Sequence, residues 1–381
     1  MFLIATAITF IACHGGPADH FATFAEKLKE EGHQVRVYAS GPALKKFEER
    51  HVDVALTFNA EGLSKEEGSL LAAQIARSCN KTELVITDVG HSFDLTLQKA
   101  LAEEAPSATR AAYYDNPEPY VPGGYSKVAA EVVLAAQRVL FANANLASQP
   151  IYSERDQEVK LPPEKRIGVG YYPTEQAEKV AAKRAESGRK MRVEFFAQNA
   201  LKERGQKLLV YFGGNNEEYF SRALPALLRL IDEGMEQKDL SNIVLVLQQH
   251  PGAKSKNLDR RAFEAWIERS GAKTRAPKVI ISDRSSDEMQ LVADAALYYQ
   301  TSMGPLFALA GIPTIQVGHE RYEDILVRGG VSPSITNAAE LIKAIAQVDP
   351  QPLSNERRRG LFASLGIRDN WNETIALGEV R

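Results

Sequence analysis

Short apolar runs recur along this chain. Each is followed by a polar or Gly-containing loop and then by a segment whose apolar positions are spaced three and four apart. That alternation predicts parallel strands joined by crossover helices. In the first half, strands are expected at Leu3–Phe10, Val35–Ala39, Val52–Leu56, Leu84–Thr87, Thr109–Tyr114 and Val139–Ala142. Helices are expected between them, at Asp19–Glu31, Ala43–Arg50, Lys65–Ser78, Leu95–Glu104 and Lys127–Ala136. In the first of these Phe21, Phe24, Ala25 and Leu28 make an apolar face, and Gly32 stops the helix. Between Asp115 and Tyr125 three prolines and two glycines forbid regular structure, which predicts a long aromatic loop at a strand end.

The pattern breaks at Leu161-Pro162-Pro163, and an extended piece, Ile167–Tyr172, leads into a charged helical stretch, Thr174–Arg204. A second alternating series then runs from Lys207–Phe212 through Ile243–Leu247, Lys278–Ser282 and Ala295–Tyr299 to Val317. A helix at Ala338–Ala346 and a polar tail of helical character follow. The expected organisation is an α/β protein with an N-terminal domain over 1–165, a C-terminal domain over 166–355 and a helical tail over 356–381. In open parallel sheets, ligands sit at the carboxyl ends of the strands. His14, Asp88, Asp115, His250, Ser282, Thr301, Ser302 and Gly304 all fall at such ends.

A chain of 381 residues suits two domains. With 25% charged residues and a net charge of −3, it lacks the basic excess of a nucleic-acid binder. Its two cysteines, Cys13 and Cys79, form neither a metal-ligand spacing nor a disulfide framework, so a cytoplasmic location is expected. The start, Met1–Cys13, has the apolarity of a signal segment, but no Lys or Arg precedes it. A buried first strand is the expectation, and no other segment reads as membrane-spanning.

The order of motifs adds to this plan. His250-Pro251-Gly252, then Asp294-Ala295-Ala296-Leu297, then Thr301-Ser302-Met303-Gly304, then Ala310–Ile315 resembles the donor half of the GT-B nucleotide-sugar glycosyltransferases. The set is especially similar to UDP-N-acetylglucosamine 2-epimerases, to lipid-sugar transferases, and to the sialyl and capsule transferases that carry a His-Pro motif. At the front, Cys13–Phe21 is similar to the Gly- and His-containing loop after the first strand of many GT-B enzymes. The resemblance implies two Rossmann-like domains facing a cleft, with a nucleotide-sugar donor on the C-terminal one. It also implies inverting, metal-independent sugar transfer with no cofactor. The acceptor is left open as a glycan, lipid, protein or small molecule, with room for a peripheral membrane contact. One departure stands out. Where the epimerases and many transferases carry a ribose-binding glutamate, this chain has Phe307 and Ala308.

Residue by residue, each site reading has an alternative beside it. A helix N-terminus favours phosphate, so the Thr301–Gly304 turn with Pro305 behind it reads as a diphosphate contact or simply as a capped helix start. Gly213 and Gly214, with Asn215, allow close backbone approach to a ligand, or make a tight turn capped by Asn216. His250 can bond a phosphate or a sugar hydroxyl, or a structural neighbour. Ser282 and Glu320 complete the expected donor set. A base must take the acceptor's proton, and His14 is the candidate, with Asp88 orienting it and Asp19 or His20 as substitutes. Each of these also reads as a cap or surface group. Gly15, Gly16, Asp115, Asn116 and Tyr120 are expected to shape the acceptor side, where tyrosines either stack on a sugar or cover the core. The rival functions are a sugar-nucleotide epimerase or hydrolase of the same fold and a non-catalytic nucleotide-sugar or glycan-binding protein.

Overall fold

The computed structural model describes residues 5–121, 124–201, 205–214, 217–236, 242–250, 257–270 and 278–377. The chain forms two units, one running to Tyr172 and rejoined by the segment from Ala363, the other spanning Pro173–Phe362. In the first, strands β1 (Ala7–Ala12), β2 (Gln34–Ser40), β3 (Leu56–Phe58), β4 (Leu84–Thr87), β5 (Thr109–Tyr114) and β6 (Arg138–Phe141) precede a small antiparallel pair. That pair is β7 (Tyr152–Glu154) and β8 (Gln157–Glu158), and β9 (Arg166–Gly168) follows. The sheet is parallel in the order β3-β2-β1-β4-β5-β6-β9.

Both faces of this sheet are covered, which is why its strands read as unbroken apolar runs. Along β1, Ile8, Phe10 and Ala12 point to one core, with Phe21, Phe24 and Phe47 from the helices. Ile11 and Cys13 point to the other, with Ala72, Val85, Phe93 and Leu97. Because Met1–Cys13 is apolar but for Thr6 and Thr9, periodicity could not fix the strand's limits, and β1 lies further along than the expected Leu3–Phe10. Likewise Val52 packs in the core without joining the sheet, and β3 begins only at Leu56.

The unit boundaries also differ from the expected ones at 165 and 355. β9 pairs with β6 through Val139↔Arg166, Leu140↔Ile167 and Phe141↔Gly168, so the extended piece closes the first sheet. The final helix, Trp371–Leu377, packs Trp371 against Phe24 and Tyr171, with ring centroids 5.0 Å from each, and buries Ile375 in the first core.

The second unit begins with two helices, Thr174–Lys183 and Arg189–Gln198, joined without a break by a π-helical turn. Its strands are β10 (Lys207–Phe212), β11 (Ile243–Gln248), β12 (Lys278–Ser282), β13 (Ala295–Tyr298), β14 (Thr314–Val317) and β15 (Ser334–Ile335). They pair in parallel in the order β12-β11-β10-β13-β14-β15. In both sheets the order reverses beside the first strand, between β1 and β4 and between β10 and β13. Crossover helices leave that point in opposite directions and open a crevice at the strand ends. No helix among the described residues is long and apolar enough to cross a membrane.

Candidate functional site

In the first unit, β1 ends in Cys13 and His14, β4 in Asp88 and β5 in Asp115. Three adjacent strands therefore deliver their first polar residues to one rim. Asp88 is fully buried, and its Oδ2 accepts the backbone N–H groups of Cys13 and His14, each at 2.9 Å. The same oxygen lies 3.4 Å from His14 Nδ1, a charge contact rather than an aligned hydrogen bond. The helix Gly15–Glu30 starts immediately after His14, whose side chain is 40% exposed and makes no cap. The imidazole is thus held at its Nδ1 edge and open elsewhere. Gly90 permits this placement, since a Cβ there would stand 3.1 Å from the His14 ring.

The surroundings set the charges. Burial pulls the His14 pKa down, but the Asp88 carboxylate and the charges of Asp115 and Glu61 outweigh it and hold the group above the ordinary histidine value. Burial pushes Asp88 up, and His14, Asp94 and the Cys13 amide more than offset that, so Asp88 stays below the usual carboxylate range. Asp115 is pushed up to about 6, chiefly by burial and further by the Asp88 charge, against the Tyr125 hydroxyl that donates to its Oδ1 at 2.8 Å. Asp115 Oδ2 lies 3.2 Å from where a Gly16 Cβ would project, so the small residue leaves the carboxylate its place at the helix start.

The other expected catalytic groups are elsewhere. Asp19 pairs with Arg50 at 2.9 Å. His20 Nδ1 meets the Tyr113 hydroxyl at 2.8 Å, and its ring packs against Phe24, Tyr113 and Tyr171. Burial lowers its pKa to about 4, which makes it a weak base. Among the tyrosines, Tyr113 and Tyr114 are core residues, Tyr120 sits half-buried on the loop, and Tyr125 holds Asp115. Asn116 Oδ1 accepts the Glu118 N–H and so tightens the same loop, while Gly15 opens the first helix.

Sequence reading missed Asp94, and it set His91 close behind Asp88 with helix capping as the alternative. His91 caps the helix Ser92–Glu104 through Nδ1, and Asp94 accepts the His91 N–H at 2.8 Å in return. The His-x-x-Asp spacing is that of a capping box, a signal present in the sequence. The His91 ring stands 5.5 Å from that of His14, and its Nε2 lies 3.5 Å from Glu61.

In the second unit the equivalent rim is built differently. Gly213 and Gly214 follow β10, and both pack against Tyr219. A Cβ on Gly213 would meet the Tyr219 hydroxyl at 2.6 Å, and one on Gly214 the Tyr219 Cβ at 3.2 Å. Asn215 and Asn216, like Pro251 and Gly252, lie outside the described residues. His250 is half-buried after β11, and burial holds its pKa below the ordinary value. Ser282 is buried, and its Oγ accepts the Arg284 N–H. Thr301 Oγ1 accepts the Met303 N–H, Ser302 is exposed, and Gly304 opens a six-residue helix, Gly304–Leu309. Phe307 is fully buried and packs on Phe212 at 4.3 Å, so this position carries core packing where the resemblance places a ribose-binding carboxylate.

Beyond Tyr299, Glu218, His319 and Glu320 converge. The Tyr299 hydroxyl donates towards Glu218 at 3.3 Å and Glu320 at 3.4 Å, and His319 Nε2 stands 3.4 Å from Glu218. This triad and the buried group Cys13, Asp88 and Asp94 are the two sets of side chains, among the described residues, that spacing would allow to hold a metal ion.

No family model matches the chain, and no curated protein does. Solved structures do. S. aureus MnaA, in a co-structure with UDP, superposes with a TM-score of 0.60 at 13% identity, covering 97% of this chain and 94% of that one. A glycosyltransferase from Rickettsia africae gives 0.61 at 10% identity, over 98% and 96%. The Neisseria meningitidis UDP-GlcNAc 2-epimerase bound to UDP-GlcNAc gives 0.59 at 9% identity, over 96% and 95%. The fold is GT-B. Likeness at such low identity establishes the architecture, two Rossmann-like units, and leaves activity to be argued from the residues.

Proposed function

We propose that this chain is an enzyme that transfers a sugar from a nucleotide-sugar to an acceptor hydroxyl, using the side chains of the first unit for proton transfer. The observation that carries the reading is the His14–Asp88 pair at the switch point of the first sheet. In this reading the nucleotide-sugar is a substrate of the second unit, with His250, Thr301, Ser302 and Glu320 among its contacts. His14, neutral, takes the proton of the acceptor hydroxyl while that oxygen bonds to the anomeric carbon. The bond from the anomeric carbon to the diphosphate breaks, and the nucleotide diphosphate leaves with the electron pair. Asp88 stabilises the imidazolium that forms and keeps the ring aligned, as a buried carboxylate does for a histidine base.

A second reading is favoured by Asp115. A carboxyl with a pKa near 6 on the same rim as His14 provides an acid and a base around one sugar, which is what epimerisation or hydrolysis needs. Two of the three structures named above carry UDP or UDP-GlcNAc, which makes uridine nucleotides the first ligands to try. The test is thermal shift against UDP, GDP, TDP, CMP and their sugars, followed by turnover of the stabilising sugar in deuterated water. Transfer predicts nucleotide release that depends on added acceptor and leaves the sugar's carbon-bound hydrogens in place. Epimerisation at C2 instead exchanges the C2 hydrogen for deuterium without any acceptor. If no nucleotide or nucleotide-sugar stabilises the protein, both readings fall.

A further inference from the structure

Asp88 and Asp94 are both fully buried, and oxygens from the two lie, with the Cys13 sulfur, within 4.8 Å of one another. One Asp88 oxygen, Oδ2, is saturated by two backbone amides and faces His14. The other, Oδ1, is buried with no donor among nitrogens, hydroxyls or thiols. Asp94 accepts the His91 N–H on Oδ2, which leaves its second oxygen for another partner. Among the described residues no Lys or Arg pairs with either carboxyl, and His14 is the one basic group in contact. Two carboxylates buried side by side repel when both are ionised, the one basic group in contact, His14, lies at the Oδ2 of Asp88, and a proton held between the two carboxyls removes the repulsion.

We propose that Asp94 keeps its proton at neutral pH and donates it to Asp88 Oδ1, so that the buried pair carries one negative charge, directed at His14. Asp94 then acts as a positioning residue through Asp88. It satisfies the one oxygen that the backbone cannot reach and keeps the proton from settling on Asp88, where it would disarm the imidazole. The burial and charge environment agrees. Burial and the neighbouring Asp88 raise Asp94 well above the usual carboxylate range while Asp88 is lowered. The groups that face this pair are His14, Cys13, His91, Glu61 and Asp115. Cys13 remains a thiol, because burial and the nearby carboxylates push its pKa far up.

The functional meaning rests on His14 acting as the base, but the test does not require turnover. Asp94→Asn copies the protonated acid, since its amide can donate to Asp88 while its oxygen still accepts from His91. At pH 8, above the values near 6 of Asp115 and Asp259, the infrared spectrum of the full chain should show the C=O stretch of a protonated carboxylic acid. That band should be missing from Asp94→Asn. The His14 titration, followed by NMR, should keep its midpoint in the variant, because one neutral donor replaces another. Absence of the band, or a His14 midpoint that falls by about one unit on loss of a carboxylate charge, would overturn the shared proton. A stoichiometric bound metal ion would overturn it as well. If the variant does not fold, pH titration of wild-type protein with ¹³C-labelled aspartate carboxyls decides. One carboxyl must stay protonated through pH 8. Failure here leaves the transfer reading standing, whereas a His14→Ala enzyme with full turnover removes that reading and leaves the proton pair intact.

Discussion

The two switch points sit at the same place in nearly the same sheet and are furnished with different chemistry. At the ends of β1, β4 and β5 the chain sets His14, Asp88 and Asp115, all with displaced pKa values. At the ends of β10, β11, β12 and β13 it sets glycines, a half-buried histidine, a buried serine and the Thr301–Gly304 turn. Charge reappears only in the Glu218, His319 and Glu320 group. Topology creates both crevices, and the first residue after each strand decides what a crevice can do. The first rim gathers titratable groups, a histidine and carboxylates whose surroundings displace their pKa values. The second presents neutral hydrogen-bonding groups and backbone, which suit a ligand that brings its own charge.

The largest effect that can break this contrast is on turnover. His14→Ala should lower kcat by about 10²–10⁴-fold, the range of a general base, and leave nucleotide affinity nearly intact. Asp88→Asn should cost less, since it removes the partner and not the base. A His14→Ala enzyme with near wild-type turnover would show that the first rim does not supply the base.

The second unit should answer in the opposite way. Ser302→Ala and His250→Ala should each weaken nucleotide binding by about 1.5–3 kcal/mol, the cost of a hydrogen bond to a charged group, with the protein still folded. Calorimetry giving unchanged affinity in both variants would show that the nucleotide does not lie on that rim. An intermediate test separates ligand-making glycines from packing ones. Gly213→Ala should destabilise the second unit by about 1–3 kcal/mol by driving Tyr219 from its place. Equal stability with lost nucleotide binding would reverse that assignment.

Much of this contrast was legible in the sequence. Lys65–Ser78, Leu84–Thr87, Thr109–Tyr114, Lys207–Phe212, Lys278–Ser282 and Ala338–Ala346 are elements at the limits expected, because polar, capping or turn residues bound each apolar run or amphipathic stretch. Strand ends gave the rim positions of His14 and Asp88. What remained hidden depends on three dimensions. Nothing local distinguishes His14 from His20, six residues on, yet one ring meets a buried carboxylate and the other enters an aromatic core. Asp94 looks like an ordinary capping residue until β4 brings Asp88 against it. The return of the C-terminal segment to the first unit is carried by Trp371 and Ile375, contacts that no window along the chain contains. The glycines after β10 read equally as a ligand approach or a tight turn, and that a Cβ at either would meet Tyr219 is a contact only the fold reveals.

The smallest effect is also the most particular to the first rim. Asp115 has a pKa of about 6 in the folded protein, chiefly through burial, against an ordinary value near 3.9 in the unfolded chain. Between those two values the folded state binds the proton more tightly. Stability contributed by this group is therefore fully present below about pH 4 and is lost as pH rises through about 6. Asp115→Asn removes the titration while its side-chain oxygen still accepts from the Tyr125 hydroxyl. Two units at 1.36 kcal/mol each set an upper bound of about 3 kcal/mol, and partial exposure of the side chain reduces this to on the order of 1–2 kcal/mol. The variant should thus be more stable than wild type at pH 7 by that amount, with the difference closing towards pH 4. Urea midpoints at pH 4, 5.5 and 7 measure it. A difference that stays constant over this range would show that folding leaves the Asp115 pKa at its ordinary value. Such a result would leave His14 and the Asp88–Asp94 pair as the displaced groups of that rim. The acid–base pair behind the epimerase reading would then be gone, and the contrast between the two units would rest on the His14–Asp88 contact alone.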